Sequence, residues 1–510
     1  MQPVTPIVRY VTTLLDTIVM RTPILPFLLV TGLLPRSSHA QDHVNPGQFT
    51  FTVDSGLVYG WDTNYVGAID TLRLDLYKPI GTSEAHRPLL VLVHGGTWLG
   101  GCRNDPSSGV VPLAREFAGR GYVVASVDYR LGWHKDDFVQ TPAGPPIWPD
   151  GYLALYPADS AEIKRALYRG MQDVKGAIRW LKARADQDSI CTDKVFVGGE
   201  SAGAFVALAV GLLDRPDEKP DACMALPDAP PPYSALLNAT ELECQRTTYT
   251  VDSTTLHRPD LGPVAGDLNL NGFDASVIGV ADFFGGMPYE AFTQDWIQGV
   301  DTPATYLYHQ TCDGIVLFHS GKPYTTLSAN CNLGATPWHY QYPTMKGSGR
   351  VAAYLAALTD PPVMTTDLDP CDPFDTNIAL FECLRYANNG SYHFMANVPL
   401  RAAHLAAFWG PLADDPAPCL GTVIPGQDSD RPSIHPQPAL DHVVVRSGSL
   451  RPGDPFSLFA LDGRELRRGT CNGAPGEVQV EWYGDLPPGT YLLIVHGPRL
   501  AVVVKCLVGP

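Results

Sequence analysis

Ser201 stands between glycines in "VFVGGESAGAFVALAV", the stretch from Val195, where one apolar pattern gives way to another. Val195 to Val197 read as a buried strand, whereas Ala204 to Leu213 repeat apolar residues at helical spacing. A strand that turns directly into a helix needs small residues on both sides of the bend, and Gly199 and Gly203 supply them in the pattern G-x-S-x-G. Such a bend lifts a hydroxyl above the sheet and points the N–H groups of a helix N-terminus at whatever that oxygen attacks. The chemistry it would serve is nucleophilic. It needs a base to take the serine proton, a carboxylate to orient the base, and donors for a developing oxyanion. Small residues also recur at ordinary strand–helix joints, so the rest of the chain has to decide.

Candidates for each role can be found. "LVLVHGGTW" ends an apolar strand in His94-Gly95-Gly96, and side-chain-free N–H groups there, with the amide of Ala202, would make an oxyanion hole. We read His94 as holding that loop by hydrogen bonding. "YHQTCDGIV" places Asp313 in a loop after a strand, with Asp282 at the end of the preceding strand as the fallback acid. For the base, "YANNGSYHFM" puts His393 in a Gly- and Asn-rich turn, whereas His404 lies inside the helical pattern 400–408, where an imidazole ordinarily packs or faces solvent. Arg350, in "KGSGR", occupies a place where a histidine might have been expected.

The elements that must position these residues alternate. Strand-like runs start at Thr71, Arg87, Tyr122, Lys194, Ser276, Ala304 and Ala379; helical patterns cover 161–185, 202–213, 348–358 and 400–412. This alternation predicts an α/β fold with a mainly parallel sheet covered on both faces, the leading strands forming an antiparallel edge. Pro-rich stretches at 141–149 and 216–232 read as insertions over the sheet's upper edge, and the one from Pro425 as a linker. Insertions at about 134–160 and 214–274 are expected to roof a pocket, with Trp98, Trp133, Trp148 and Tyr152 as its aromatic candidates. "DLNLNGFD" from Asp267 has part of a calcium-loop pattern, but Ile278 stands where the closing glutamate belongs, so it reads as a plain polar loop.

"HGGTW", "SVDYRLGW", "GGESAGA" and "HQTCDGIV" together resemble the α/β-hydrolase fold in its carboxylesterase and lipase branch, over about residues 48–415. The resemblance implies a doubly wound, mostly parallel sheet with Ser201 as nucleophile, Asp313 as acid, His393 as base, and no cofactor or metal. It implies an ester substrate, small or polymer-linked. One departure is the long, cysteine-bearing stretch between Asp313 and His393, where the family usually moves quickly from acid to histidine. A peptidase of the same fold and a non-catalytic surface-binding protein are the alternatives. The tail segments "SIHPQPALDHVVV", "LFALDGREL" and "LPPGTYLLIV" are similar to the C-terminal sorting domain of the type IX secretion system, a small β-sandwich. That likeness implies outer-membrane secretion machinery as a partner, and a carbohydrate-binding sandwich is the alternative.

The whole chain fits these expectations. Its 510 residues allow a catalytic domain over 45–425 and a smaller sandwich over 430–510. A formal charge of −17 without a basic cluster argues against nucleic acid. From Met20, "MRTPILPFLLVTGLLPRSSHAQD" has an arginine, an apolar stretch too short for a stable membrane span, and a small-residue cleavage site before residue 41. Residues 1–40 thus read as a secretory signal region with Met20 as the start, which implies a secreted or cell-surface protein exported through the periplasm. Export would oxidise most of the eleven cysteines, and nearby pairs, Cys223 with Cys244, Cys312 with Cys331, Cys371 with Cys383 and Cys471 with Cys506, are the candidates.

Overall fold

A computed structural model describes residues 43–81, 86–134, 157–229, 236–238, 248–250, 256–288, 302–331, 339–371, 379–415 and 419, and then 433–435, 442–446, 450–460, 464–474, 477–481, 486–487, 489–496 and 501–508. The expected signal region, Trp148, Tyr152, Cys244 and the linker from Pro425 lie outside the described residues.

The larger part of the chain is built on strands β1 (Phe51–Thr63), β2 (Ile69–Pro79), β3 (Arg87–Val93), β4 (Val123–Val127), β5 (Ile190–Glu200), β6 (Gly279–Phe283), β7 (Ala304–Gln310) and β8 (Met364–Asp369). They form one sheet in the order β1-β2-β4-β3-β5-β6-β7-β8. β1, β2 and β4 pair antiparallel, and every pair from β4 through β3 to β8 is parallel. The central strands are apolar along their whole length because both faces are covered. In β3, Leu89, Val91 and Val93 face one core and Leu90 and Leu92 the other. Helices α1 (Val110–Ala118), α2 (Ser160–Lys182), α3 (Ala202–Leu212), α4 (Thr325–Cys331), α5 (Ser348–Leu355), α6 (Ala379–Asn388) and α7 (Val398–Ala413) complete the layers. α2 and α3 fill the first core, with Met171, Ile178, Phe205 and Leu208; α1 and α7 fill the second, with Leu113, Phe117, Leu405 and Trp409.

Two expectations about elements change. The run from Ala379 forms α6, a helix, where a strand was expected. Glu382, Cys383 and Tyr386 are buried while Phe381 and Leu384 are exposed, so the buried positions follow a helical spacing that the surrounding apolar residues hide. The last strand of the sheet is instead β8, whose sequence MTTDLD is mostly polar because it lies at an edge.

The described parts of the 214–274 insertion do not line the cavity that holds Ser201; residues 257–263 and Asp267 line a separate one of about 550 Å³ with Arg130, His134, Arg165 and Arg169. The described parts pack along α2, whose long side chains donate to their carbonyls: Arg165 to Ala222, Met224 and Pro259, Gln172 to Leu261 and Pro263, and Arg179 to Ala265 and Leu268. The "DLNLNGFD" segment belongs to the same clamp, with the Asn269 amide donating to the carbonyls of Tyr59 and Gly176. No group of side chains suited to hold a metal ion occurs among the described residues.

Cysteine pairing also differs. Bridges between described residues are Cys191–Cys419, Cys312–Cys371 and Cys331–Cys383, Cys102 is also disulfide-bonded, and Cys223, Cys471 and Cys506 are buried thiols. β7 and β8 run parallel with Gln310 opposite Asp369, so Cys312 and Cys371 each lie two residues beyond the same rung. Neighbours in the sheet, rather than neighbours in sequence, set the bond.

At the C-terminus two four-stranded antiparallel sheets enclose a core of their own. β9 (Ser433–His435), β10 (His442–Arg446), β13 (Asn472–Ala474) and β14 (Glu477–Glu481) make one; β11 (Pro455–Ala460), β12 (Glu465–Thr470), β15 (Gly489–His496) and β16 (Ala501–Val508) make the other. Val443, Val445, Leu458, Val478, Val480 and Leu493 form that core. No helix among the described residues is long and apolar enough to cross a membrane.

Candidate active site

The sharp bend after β5 is strained as the sequence pattern demands. Ser201 has φ 52° and ψ −123°, a region that non-glycine residues rarely occupy and that costs about 1–3 kcal/mol. Surrounding structure holds it there. The Ser201 N–H donates to the Phe283 carbonyl at the end of β6. A Cβ on Gly203 would lie 2.2 Å from the Val93 carbonyl oxygen, and one on Gly199 would lie 2.3 Å from the Gly203 oxygen, so α3 can approach the sheet this closely only with glycine at both places.

His393 reaches the serine from a different direction. Gly390, Ser391 and Tyr392 all have positive φ, and this tight turn after α6 closes with the His393 N–H donating to Gly390. The Gly314 N–H donates to the Ser391 carbonyl, which ties the turn to the loop carrying Asp313. His393 Nε2 is 2.7 Å from Ser201 Oγ, and its Nδ1 is 2.7 Å from Asp313 Oδ2. Asp313 Oδ1 accepts the N–H groups of Ile315 and Val316 at 2.8 and 2.9 Å. Burial works against ionisation of Asp313, but His393 and His309 beside it hold the carboxyl below its ordinary value. Its other oxygen is therefore left as an acceptor for an Nδ1–H, which leaves Nε2 bare toward the serine.

The fallback residues lie elsewhere. Asp282 accepts from the Gly285 N–H and from Ser348 Oγ. His404 is half exposed on α7 and is bonded to Asp367, and Arg350 is exposed on α5.

Gly95 lies against the serine, since a Cβ there would be 3.1 Å from that of Ser201. Gly96 turns at φ 111°, and its carbonyl accepts from the N–H groups of Leu99 and Gly100. His94 is buried, stacks on Tyr129 and has Nδ1 2.7 Å from the Gly95 oxygen. These groups open into a cavity of about 860 Å³, lined by Gly95, Gly96, Ser201 and His393 together with Thr97, Ser108, Glu200, Phe284 and Tyr324. Trp98 and Trp133 are not in that lining: Trp98 packs edge-on to Phe205, and Trp133 donates to the Thr97 carbonyl.

A family described as "alpha/beta hydrolase fold" matches residues 166–283, which span α2, the Ser201 bend and β6. The fold is that of an α/β hydrolase. A second family, described as BD-FAE, matches residues 74–140 of this chain. Among curated proteins the chain is 28% identical to a fumonisin B1 esterase of Sphingopyxis macrogoltabida over 196 residues, 38% of this chain and 32% of that one. It is also 28% identical to Lipase 1 of Geotrichum candidum over 138 residues, 27% of this chain and 21% of the other. Matches thus span a third or less of these relatives' own lengths. Solved structures that resemble it include apo Thermogutta terrifontis esterase 2, with 15% identity, 72% of this chain and 96% of that one covered, and a TM-score of 0.34. A truncated carbohydrate esterase from gut microbiota gives 14% identity, 70% and 98% coverage, and a TM-score of 0.33.

Two groups in the candidate site escaped sequence reasoning. Glu200, the residue before the serine, is buried and accepts from Ser108 Oγ and the Gly109 N–H, and burial pushes its carboxyl up. Tyr324, in the cavity lining, has its hydroxyl 2.9 Å from that of Thr97. Glu200 lies inside the G-x-S-x-G pattern and could have been singled out there; Tyr324 sits in no pattern at all.

Proposed function

We propose that the chain is an exported serine carboxylesterase, and the observation that carries this is the unbroken line Ser201–His393–Asp313 opening on the cavity. In this reading Ser201 Oγ attacks an ester carbonyl while His393 Nε2 takes its proton. The oxyanion is held by the N–H groups of Gly95, Gly96 and Ala202. Collapse breaks the ester bond, and His393 returns its proton to the departing alcohol, leaving an acyl group on Ser201. Water, deprotonated by His393, then attacks the acyl carbon; the bond from that carbon to Ser201 Oγ breaks, His393 returns the proton to Oγ, and the acid leaves. No metal or cofactor enters these steps. The esterase and lipase names of the relatives point the same way.

A fluorophosphonate should add one phosphonyl group to Ser201, detected by mass, and Ser201→Ala should lose both the label and ester turnover. An unlabelled, inactive wild type would favour a binding protein on a hydrolase scaffold. Cleavage of peptides with no cleavage of p-nitrophenyl, feruloyl or acetylated-xylan esters would favour a peptidase.

Export is supported by the signal-like stretch from Met20 and by the disulfide bridges. The separate C-terminal core supports a sorting domain read by outer-membrane secretion machinery. Deleting residues 430–510 should trap the enzyme in the periplasm of its native host; unchanged export with lost polysaccharide binding would favour a carbohydrate module.

A further inference from the structure

Behind Asp313 lies a second buried line of polar groups that the reaction above does not use. His309, at the end of β7, is fully buried. Its Nε2 is 3.0 Å from the Val316 carbonyl oxygen and 3.3 Å from Asp313 Oδ2. Both are acceptors, so Nε2 carries a proton. Its Nδ1 is 2.7 Å from Ser348 Oγ, and that oxygen is 2.8 Å from Asp282 Oδ2. Asp282, also fully buried, has its other oxygen occupied by the Gly285 N–H.

Only two proton arrangements satisfy every atom of this line. In one, Asp282 is ionised, Ser348 donates to it, and His309 is an imidazolium donating on both sides. In the other, the Nδ1 proton has passed to Ser348 Oγ while the Ser348 proton has passed to Asp282 Oδ2, leaving a neutral imidazole and a carboxylic acid. One N–H bond and one O–H bond break, two O–H bonds form, and the net charge is unchanged. Asp313, in contact with both histidines, senses the difference.

We propose that Asp282, Ser348 and His309 form a proton relay behind the triad, with His309 resting as an imidazolium that shares Asp313 with His393. His309 is thereby a positioning residue, and the idea rests on the esterase reading. The charged groups facing His309 are Asp282 from β6 and Asp313 from the loop after β7; His393 acts on it through Asp313, and Phe318 meets it edge-on. Burial opposes a charge on His309, but the two carboxylates together hold its proton more tightly than usual. Burial likewise pushes Asp282 up to about 6, near enough to an imidazole for the proton to cross. When His393 takes the serine proton, Asp313 would lie between two imidazolium rings. Passing the His309 proton to Asp282 removes that competition at the moment the charge on His393 forms.

Two measurements test this on the full chain. Ring ¹⁵N spectra of histidine-labelled wild type should show both His309 nitrogens protonated at pH 7, and a bare Nδ1 would overturn the proposal whether or not the protein hydrolyses esters. In Ser348→Ala the line is cut, His309 becomes neutral, and Asp313 pulls fully on His393. The acid limb of the pH profile of kcat/KM should then move up by about one pH unit. Ser348→Thr, which keeps the hydroxyl, should restore the wild-type limb. A folded Ser348→Ala protein with an unmoved limb refutes the relay and leaves the esterase reading intact; a wild type without esterase activity refutes that reading while the spectra still decide the proton.

Discussion

Asp313→Asn tests the triad through hydrogen-bond geometry, because the structure dictates which way the new amide must face. Oδ1 receives two backbone N–H groups, at 2.8 and 2.9 Å, so that position has to remain a carbonyl oxygen. The amide nitrogen is therefore forced into the Oδ2 place, 2.7 Å from His393 Nδ1. It donates where the carboxylate accepted, so Nδ1 loses its proton and Nε2–H points at Ser201. The ring is still in place but can no longer act as a base. Loss of the base tautomer should lower kcat/KM by about 10³–10⁴, or roughly 4–5.5 kcal/mol of transition-state stabilisation. Asp313→Ala removes more atoms but imposes no tautomer, so it should be no slower than the asparagine variant. The assay is p-nitrophenyl ester hydrolysis, with unfolding midpoints to show that both variants fold. An asparagine variant within tenfold of wild type, or clearly faster than alanine, would refute the reasoning.

His393→Ala should lose turnover by several orders of magnitude while His404→Ala, on the exposed face of α7, should stay within a factor of two; the reverse would move the base. Removing Cys312–Cys371 by double serine substitution should cost about 4 kcal/mol of stability on the chain-entropy estimate for a loop of 59 residues, read from denaturant midpoints. A chain stopping near Asp428 should unfold cooperatively and keep its esterase activity, since the C-terminal sheets have their own core; loss of activity would show that they complete the catalytic fold. Asp282 has a raised folded value, so its contribution to stability is fully present below about pH 4 and is lost as pH rises through about 6. Asp282→Asn should flatten the fall in stability across that window.

The parts of the site that were legible in the sequence are those where local sterics leave one choice of residue. Gly199 and Gly203 could be read because a strand must turn into a helix within van der Waals distance of Val93, and the loop after β3 could be read because Gly95 touches the serine. Buried parallel strands were legible as continuous apolar runs. What local reasoning missed depends on partners distant in sequence. Thus β8 has too few apolar residues to announce itself, and α6 exposes Phe381 and Leu384, which made it look like a strand. His309 and Ser348 carry no motif; they matter only because β6, β7 and α5 bring them together beside Asp313.

The long stretch from acid to base becomes understandable on the same grounds. Asp313 and His393 are separated by 80 positions, and a chain of that length left to itself would hold the two side chains loosely. Two bridges shorten the path. Cys312, next to the acid, is bonded to Cys371 at the end of β8, so the loop between them is anchored where it leaves the sheet and where it returns. Cys331 on α4 is bonded to Cys383 on α6, the helix whose end turns into His393. The Gly314–Ser391 hydrogen bond then joins the two anchored segments within two residues of each functional side chain. Covalent links between neighbouring strands and helices do the positioning that a short connection from Asp313 to His393 would otherwise provide, so the insertion can be long while Ser201, His393 and Asp313 stay in line.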